Sequence, residues 1–529
     1  MVAAPMLVAA VLAGVYLAWD PASADLAAQT FRADFFDANG FAVLSNAWYA
    51  GHHLPGYSLL FPPLAALIGP RLVGALAAVA AAGLFAALAH DRFGERARLG
   101  ALWFGAATAI NLFTGRLTFA LGIALGLAAL LALQRGRSRL APPLAVLTSF
   151  ASPVAGLFLA IAGGAVAIAG RRAGAGRDQG WRPGAAVGIA AIAAAVGMAL
   201  AFPIDGVEPF VASAFQNVPI FAAVALVLIP GDERVLRWGI ALYALVAIAL
   251  FVFDNAVGGN VTRLGALFAG PVMALALAGR RPLALAIVAL PLLWWQWSAP
   301  VRDVADAIDD PSVERSFHRP LVDELGRRTV GAPTRIQVLP TRNRWEAVHV
   351  GEAYPLARGW LRQAESDDFD LFEHGRLDPA SYFDWLRDNA VDYVAVPEGV
   401  ELDYLATDEA ELIASGLPYL ELIWHNPDWE LYEVAGESTL VTAPGGSVPS
   451  ADARMAAIGP ESFEVTADAP GAYLVRVHYS RYWEVVAGDA CVERDGDWTL
   501  LRARAASVVR VEARFSVGAM VGASDQCSA

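Results

Sequence analysis

The sequence has no lysine; all 38 of its Lys-plus-Arg side chains are arginine. With alanine and glycine abundant, this reads as a bias of GC-rich codons and carries no function. Cysteine is nearly absent as well, with two residues, Cys491 and Cys527, both close to the C-terminal end. No C-x-x-C, H-E-x-x-H or phosphate-loop glycine motif occurs, so zinc-finger, zincin, thioredoxin-like and P-loop chemistry have no foothold. Charge is scarce at 17%, where a soluble globular chain carries about 25%. The net charge of −14 is acidic, which argues against nucleic acid as a partner.

What fills the space is apolar: 57% of the residues are hydrophobic, and they are unevenly placed. Between Met1 and Pro300 charges are few and clustered. From Val301 on, Asp, Glu and Arg are frequent and long apolar runs cease. The first part therefore reads as a polytopic α-helical membrane domain over 1–300, with about nine spans of roughly 20 residues each plus a helical hairpin. The segments are Val2–Trp19, Pro70–His90, Leu99–Phe113, Leu117–Gln134, Gly184–Phe202, Asn217–Pro230, Val235–Phe253, Val261–Gly279 and Pro282–Ala299. Leu140–Gly170 is long for one helix, is broken by Ser152-Pro153, and has basic residues on both flanks. That pattern predicts two half-helices returning to one side.

Arginine also sets the orientation. The loops Asp91–Arg98, Arg135–Arg139, Arg171–Arg182, Asp232–Arg237 and Arg280–Arg281 carry several each, and the alternate loops carry few. This places the N-terminus in the cytoplasm and everything after Val301 outside, in the plasma membrane. Ala22-Ser23-Ala24 resembles a signal-peptidase site, but no basic stretch precedes the apolar run, so an uncleaved first helix is expected.

The tail divides in two. Over 301–435 an α/β pattern is expected, with strands at Arg335–Leu339 and Tyr393–Pro397. Helices are expected at Ser381–Asn389 and Asp408–Ser415, and a hairpin at Leu420–His425 and Glu430–Val434. Over 436–529, alternating runs at Ser462–Ala467, Ala472–Tyr479, Trp483–Ala487, Trp498–Ala503 and Ser507–Phe515 predict a β-sandwich-like domain. If the tail is extracytoplasmic, Cys491 and Cys527 can pair; two free thiols are an equal alternative, because sequence does not give their separation.

Chemistry-bearing residues gather in the predicted outer loops. On a helix Asp25, Gln29 and Arg32 share one face, at i, i+4 and i+7. A solvated stripe on the membrane surface and the lining of a cavity both fit this pattern. His52, His53 and Tyr57 follow in the same loop; adjacent histidines point apart on a strand and match no metal motif. Trp48, Tyr49 and Tyr57 suit an interfacial aromatic belt or a sugar-stacking surface. Arg116 lies between two spans. Arg263 lies just inside another, after Asp254 and Asn260, where an arginine is costly unless it faces a partner or a cavity. Two arginines at one depth suit a lipid-linked phosphate, whose oxygens take bidentate donors.

The order of one helix, an outer loop opening on a carboxylate, many spans, and an exterior α/β plus β region resembles the GT-C superfamily of membrane glycosyltransferases. It also resembles the YfhO- and PTPS-related bacterial membrane proteins. The segments that carry the likeness are Asp25-Leu-Ala-Ala-Gln29, Trp48-Tyr-Ala-Gly-His52 with Tyr57-Ser58, Pro355-Leu-Ala-Arg-Gly-Trp360 and Tyr479-Ser-Arg-Tyr-Trp483. Many members show a carboxylate pair in that loop; here Asp20 and Asp25 stand apart. The resemblance implies extracytoplasmic transfer of a sugar from a polyprenyl-phosphate donor to a cell-envelope glycan or lipid acceptor. Asp25 would be the general base and Arg116 or Arg263 the phosphate clamp. No cofactor is implied, a divalent metal being left open. A transporter or lipid flippase, suggested by the broken hairpin, and a non-catalytic envelope scaffold are the competing expectations.

Overall fold

The computed structural model describes residues 2–172, 181–204, 206–365, 371–372, 375–446, 448–521 and 527. The expected Arg171–Arg182 loop lies mostly outside them. The described residues form two compact units. One comprises 1–37, 56–200 and 207–308; the other comprises 38–55, 201–206 and 309–529.

The first unit is all helix. Its elements are α1 (Ala3–Trp19), α2 (Ala24–Asn39), α3 (Phe61–Ile68), α4 (Pro70–Phe93), α5 (Arg98–Phe113), α6 (Leu117–Gln134) and α7 (Ala141–Ala151). They continue as α8 (Pro153–Arg172), α9 (Trp181–Ala201), α10 (Ala212–Phe215), α11 (Asn217–Leu228), α12 (Arg234–Val252), α13 (Thr262–Leu277) and α14 (Pro282–Ala307). Among the described residues seven helices are long and apolar enough to cross a membrane, or eight if the bent pair α1–α2 counts as one. The chain is thus a membrane protein with a later β-rich region.

Two expectations about the helices need correction. The expected Asn217–Pro230 segment falls on a shorter apolar helix, Ala212–Leu228, in which α10 and α11 run on from one another. The Leu140–Gly170 region does break at Ser152-Pro153, where Ser152 is extended (φ −160°, ψ 116°). Its second part is no half-helix, however: Pro153–Arg171 spans 19 residues, a full crossing length. The last helix runs past Ala299 to Ala307, because nothing in Val301-Arg-Asp-Val-Ala-Asp-Ala307 breaks a helix and Pro300 is absorbed within it.

Close helix approach comes from small residues. A Cβ on Gly163 would lie 2.8 Å from the Gly184 carbonyl oxygen, so α8 and α9 touch backbone to backbone. Phe85, Phe104, Phe119 and Phe158 fill the bundle centre. One polar pair inside is matched: Trp103 Nε1 donates to Gln296 Oε1 at 2.6 Å, and Gln296 Nε2 donates to the Leu267 carbonyl at 3.2 Å.

The second unit joins two sheet systems. A four-stranded sheet has the order Ile336–Val338, Tyr393–Pro397, Trp429–Val434, Leu420–His425, its first pair parallel and the others antiparallel. Two further four-stranded sheets face a common core that includes Phe463, Val465, Val475, Leu501 and Val511. Strands Ala453–Gly459 and Ala490–Asp495 escape the sequence reading, since charged and small residues blur their alternation. Cys491 and Cys527 form a disulfide across a sequence separation of 36.

The segment 38–55 threads into this unit. Asn46 Nδ2 donates to the Gly459 and Ser462 carbonyls, at 2.9 and 3.1 Å. Trp48 is fully buried and its Nε1 donates to the Ala347 carbonyl at 2.9 Å. Trp48 and Tyr49 are therefore core residues, neither a membrane belt nor an open sugar platform.

Burial also sets a pH response. His318 is fully enclosed, its Nε2 bonded to the Ser312 carbonyl at 2.9 Å, and burial pushes its pKa down to about 3. An unfolded histidine titrates near ~6.5. The unfolded chain therefore binds the extra proton first, and stability is lost as pH falls below that value, by about 2 kcal/mol at a pH of about 5. Glu346, pushed up by burial to about 7, has the opposite sign: its contribution is present at low pH and lost as pH rises. Melting by tryptophan fluorescence across this range should show a steeper acid-side loss in the wild type than in His318→Gln. Equal slopes would remove His318 as the cause.

Candidate functional site

Asp20 adopts a left-handed conformation (φ 57°) and Pro21 follows, so α1 stops there. Arg71 fixes the stop: its Nε lies 2.6 Å from the Asp20 carboxylate and its Nη1 donates to the Pro21 carbonyl at 2.8 Å. The chain then turns by 79° into α2. The start of α2 presses on the α5–α6 turn at Gly115. A Cβ there would meet the Leu26 nitrogen at 2.4 Å and the Ser23 hydroxyl at 2.6 Å.

This contact brings the turn's next residue, Arg116, against α2. Arg116 Nε donates to Asp25 Oδ2 at 2.9 Å, and Arg263 Nη2 reaches the same oxygen at 3.8 Å. The Asp25, Arg116 and Arg263 side chains are 18%, 25% and 14% exposed. The predicted face of α2 points inward rather than to solvent, since Gln29 is 0% and Arg32 3% exposed. Gln29 Nε2 donates to the Tyr57 hydroxyl at 3.3 Å and to the Asp25 backbone carbonyl at 3.4 Å. The Arg32 guanidinium stands 3.9 Å over the Tyr57 ring, a cation–π contact. Gln29 Oε1 is buried with no hydrogen-bond donor among the described residues.

Two carboxylates missed in the sequence complete the charge set. Asp303, in the helical extension of α14, acts electrostatically on Arg116, and Glu208 acts on Arg263. Burial opposes the Arg116 charge, but Asp25 and Asp303 outweigh it and raise the pKa. Glu208 is brought in by Gly258 (φ +43°), where a Cβ would sit 2.1 Å from the Glu208 carbonyl oxygen. The Glu208 amide in turn bonds to the Asn255 carbonyl at 3.0 Å. The signal for Asp303 was the unbroken helical sequence after Ala299; for Glu208 it was the Gly258-Gly259 pair, which marks a close backbone approach.

The structure thus brings together Asp25, Gln29, Arg32, Tyr57, Arg116 and Arg263. Asn260 lies in the short 3₁₀ helix Gly258–Val261 that leads to Arg263, and Asp254 is an exposed residue of the irregular segment after α12. His52 and His53 belong to the other unit. There His52 stacks on Trp48, with ring centroids 5.3 Å apart. His53 pairs through Nδ1 with the Pro203 carbonyl at 2.9 Å and through Nε2 with the Ser480 hydroxyl at 3.1 Å.

No group of three or more His, Cys, Asp or Glu side chains suited to a metal ion occurs among the described residues. The Asp25 oxygen faces two guanidiniums, which repel a divalent cation, so a metal does not fit here. The chain matches no known protein-family model and no curated protein sequence.

The Gly115 contact gives a test. Gly115→Ala must both hold a left-handed backbone (φ +71°) and displace Leu26. Gly136→Ala, at φ +73° with nothing within 4 Å, meets only the backbone cost, about 1 kcal/mol. In detergent, Gly115→Ala should lower the melting temperature clearly more than Gly136→Ala. Equal shifts would mean that α2 does not depend on that close approach.

Proposed function

We propose that the protein is a membrane glycosyltransferase of the GT-C type, moving a sugar from a polyprenyl-phosphate donor to a cell-envelope glycan or lipid acceptor outside the cell. The observation that carries this reading is the convergence of Arg116 and Arg263 on one carboxylate oxygen of Asp25, among otherwise apolar helices. Guanidiniums in such surroundings need a resident anion to balance them. A phosphate on a lipid has the charge to replace the carboxylate and the tail to lie beside the helices. Gln29, Arg32 and Tyr57 add hydrogen-bonding and cation–π surface for the sugar or acceptor.

An extracytoplasmic tail is supported by the arginine bias of alternate loops and by the Cys491–Cys527 disulfide, a bond that persists in oxidising compartments. On that orientation the N-terminus is cytoplasmic and both tail regions, 301–435 and 436–529, are exterior. The transport reading rests on the broken α7–α8 helix. Two of the groups at that break are engaged within the chain. The Phe150 carbonyl accepts from the Leu59 and Leu60 amides at 2.8 and 3.2 Å, and the Ser152 hydroxyl accepts from the Ala155 amide at 3.4 Å. The break thus holds the Ser58–Phe61 segment, a structural use that favours the transferase reading over transport.

The reading predicts opposite effects at the two ends of the ion pair. In lipid nanodiscs, Arg263→Ala should weaken undecaprenyl-phosphate binding by roughly tenfold or more, the worth of one charged hydrogen bond. Asp25→Asn should tighten it, because the competing anion is gone. Undecaprenol, lacking the phosphate, is the control. Equal binding of alcohol and phosphate by the wild type would sink the phosphate site and favour a scaffold.

A further inference from the structure

α5 and α6 meet at the Arg116 turn; their other ends, Arg98 and Gln134, lie in a second concentration of charge. Contacts join four loops there. Arg135 Nε donates to Asp91 Oδ2 at 2.8 Å, tying the α6–α7 turn to the end of α4. Arg92 Nη2 lies 3.1 Å from Glu233 Oε2, and Arg280 donates to both carboxylate oxygens of Asp232 at 2.8 Å, which adds the α11–α12 and α13–α14 loops. Within 91–98, 135–139, 230–237 and 280–281, ten arginines stand against four carboxylates. Arg92, Arg135 and Arg280 take three of those carboxylates. Arg98, Arg137 and Arg139 are exposed and have no carboxylate partner among the described residues. α6 is long and apolar enough to cross a membrane, so the turn after it stands where the apolar layer ends. That turn is held in shape. Gly136 is left-handed (φ +73°), the Arg137 amide donates to the Ala132 carbonyl at 2.8 Å, and the Leu140 amide donates to the Arg137 carbonyl at 3.0 Å. Leu140, directly after Arg139, is 54% exposed.

We propose that the α6–α7 turn is a binding site for an anionic phospholipid, with the headgroup phosphate on Arg137 and Arg139 and an acyl chain along Leu140. The site lies at the opposite end of α6 from Arg116 and does not depend on the transferase reading. A guanidinium offers phosphate oxygens two donors in one plane. No carboxylate occurs in 135–140, so none within the turn competes for the two free guanidiniums. The surplus of arginine over carboxylate in the joined loops repels other cations and draws anions to this end. A small soluble anion would use the arginines alone. The exposed leucine beside them, at the level where an apolar helix stops, suits an anion that carries a hydrocarbon tail. The bonds at Gly136, Arg137 and Leu140 fix the turn before the lipid arrives, so little backbone order has to be gained on binding.

The test uses the full-length protein, delipidated in a neutral detergent, and native mass spectrometry to follow binding of added phosphatidylglycerol or phosphatidylcholine. The wild type should bind phosphatidylglycerol in preference. Arg137→Gln/Arg139→Gln should weaken its affinity for the first phosphatidylglycerol by roughly 20- to 30-fold, at about fivefold for each arginine near a membrane surface, and leave phosphatidylcholine binding unchanged. Both side chains are exposed and unpaired, so the variant should melt with the wild type in the lipid-free state. Arg319→Gln, at an arginine whose side chain is 78% exposed in the second unit, is the control and should bind as the wild type does. Equal binding of the two lipids by the wild type, or unchanged phosphatidylglycerol binding in the double variant, overturns the site. An equal loss in Arg319→Gln overturns it too, since the effect is then one of overall charge. Leu140→Ser and competition by inorganic phosphate separate a lipid from a soluble anion. A lipid site loses phosphatidylglycerol affinity in Leu140→Ser and is little displaced by phosphate. If Leu140→Ser binds as the wild type does and phosphate displaces the lipid, the turn takes a free anion and the lipid assignment falls.

Discussion

A charge among apolar helices must find its counter-charge locally, and the first unit is arranged around that requirement. Asp25, Arg116 and Arg263 come from three separate elements, so their pairing fixes how α2, the α5–α6 turn and α13 meet. Other features follow from it. The chain bends at Asp20-Pro21 so that α2 turns back onto the bundle, and Arg71 holds the bend. Gly115 stands where any side chain would push α2 away, and Gly258 stands where one would push Glu208 away from Arg263. Each glycine is a condition for the charge contact beside it.

The second unit is governed by hydrogen bonding and burial. The two tail segments that carry the family likeness are both spent on packing. In Pro355-Leu-Ala-Arg-Gly-Trp360, Leu356 bridges to Trp48, and Arg358 pairs with Glu409 at 2.9 Å with both side chains enclosed. A Cβ on Gly359 would overlap Trp48 at 2.5 Å. In Tyr479-Ser-Arg-Tyr-Trp483, Ser480 meets His53 and the Tyr482 hydroxyl donates to the Ala201 carbonyl at 2.6 Å. A histidine locked between a carbonyl and a hydroxyl is a structural joint. Both segments therefore anchor loops within the tail.

Much of this was legible in the sequence. Hydropathy located the long helices, and period-two alternation found Tyr393–Pro397, Ser462–Ala467, Trp483–Ala487 and Trp498–Ala503 to the residue. The i, i+4, i+7 spacing found the face of α2, though not that it is enclosed, because burial of Leu26 and Phe31 on the remaining faces is a tertiary fact. Asp303 was hidden for a specific reason. A span was ended where its apolar run ended, yet a helix ends only where its backbone is interrupted, and α14 continues through charged residues to Ala307.

The charges of the cluster balance within the chain itself. Arg32, Arg116 and Arg263 are opposed by Asp25, Asp303 and Glu208. No guanidinium there is left to a region of low dielectric without a counter-charge, where an uncompensated charge is costly.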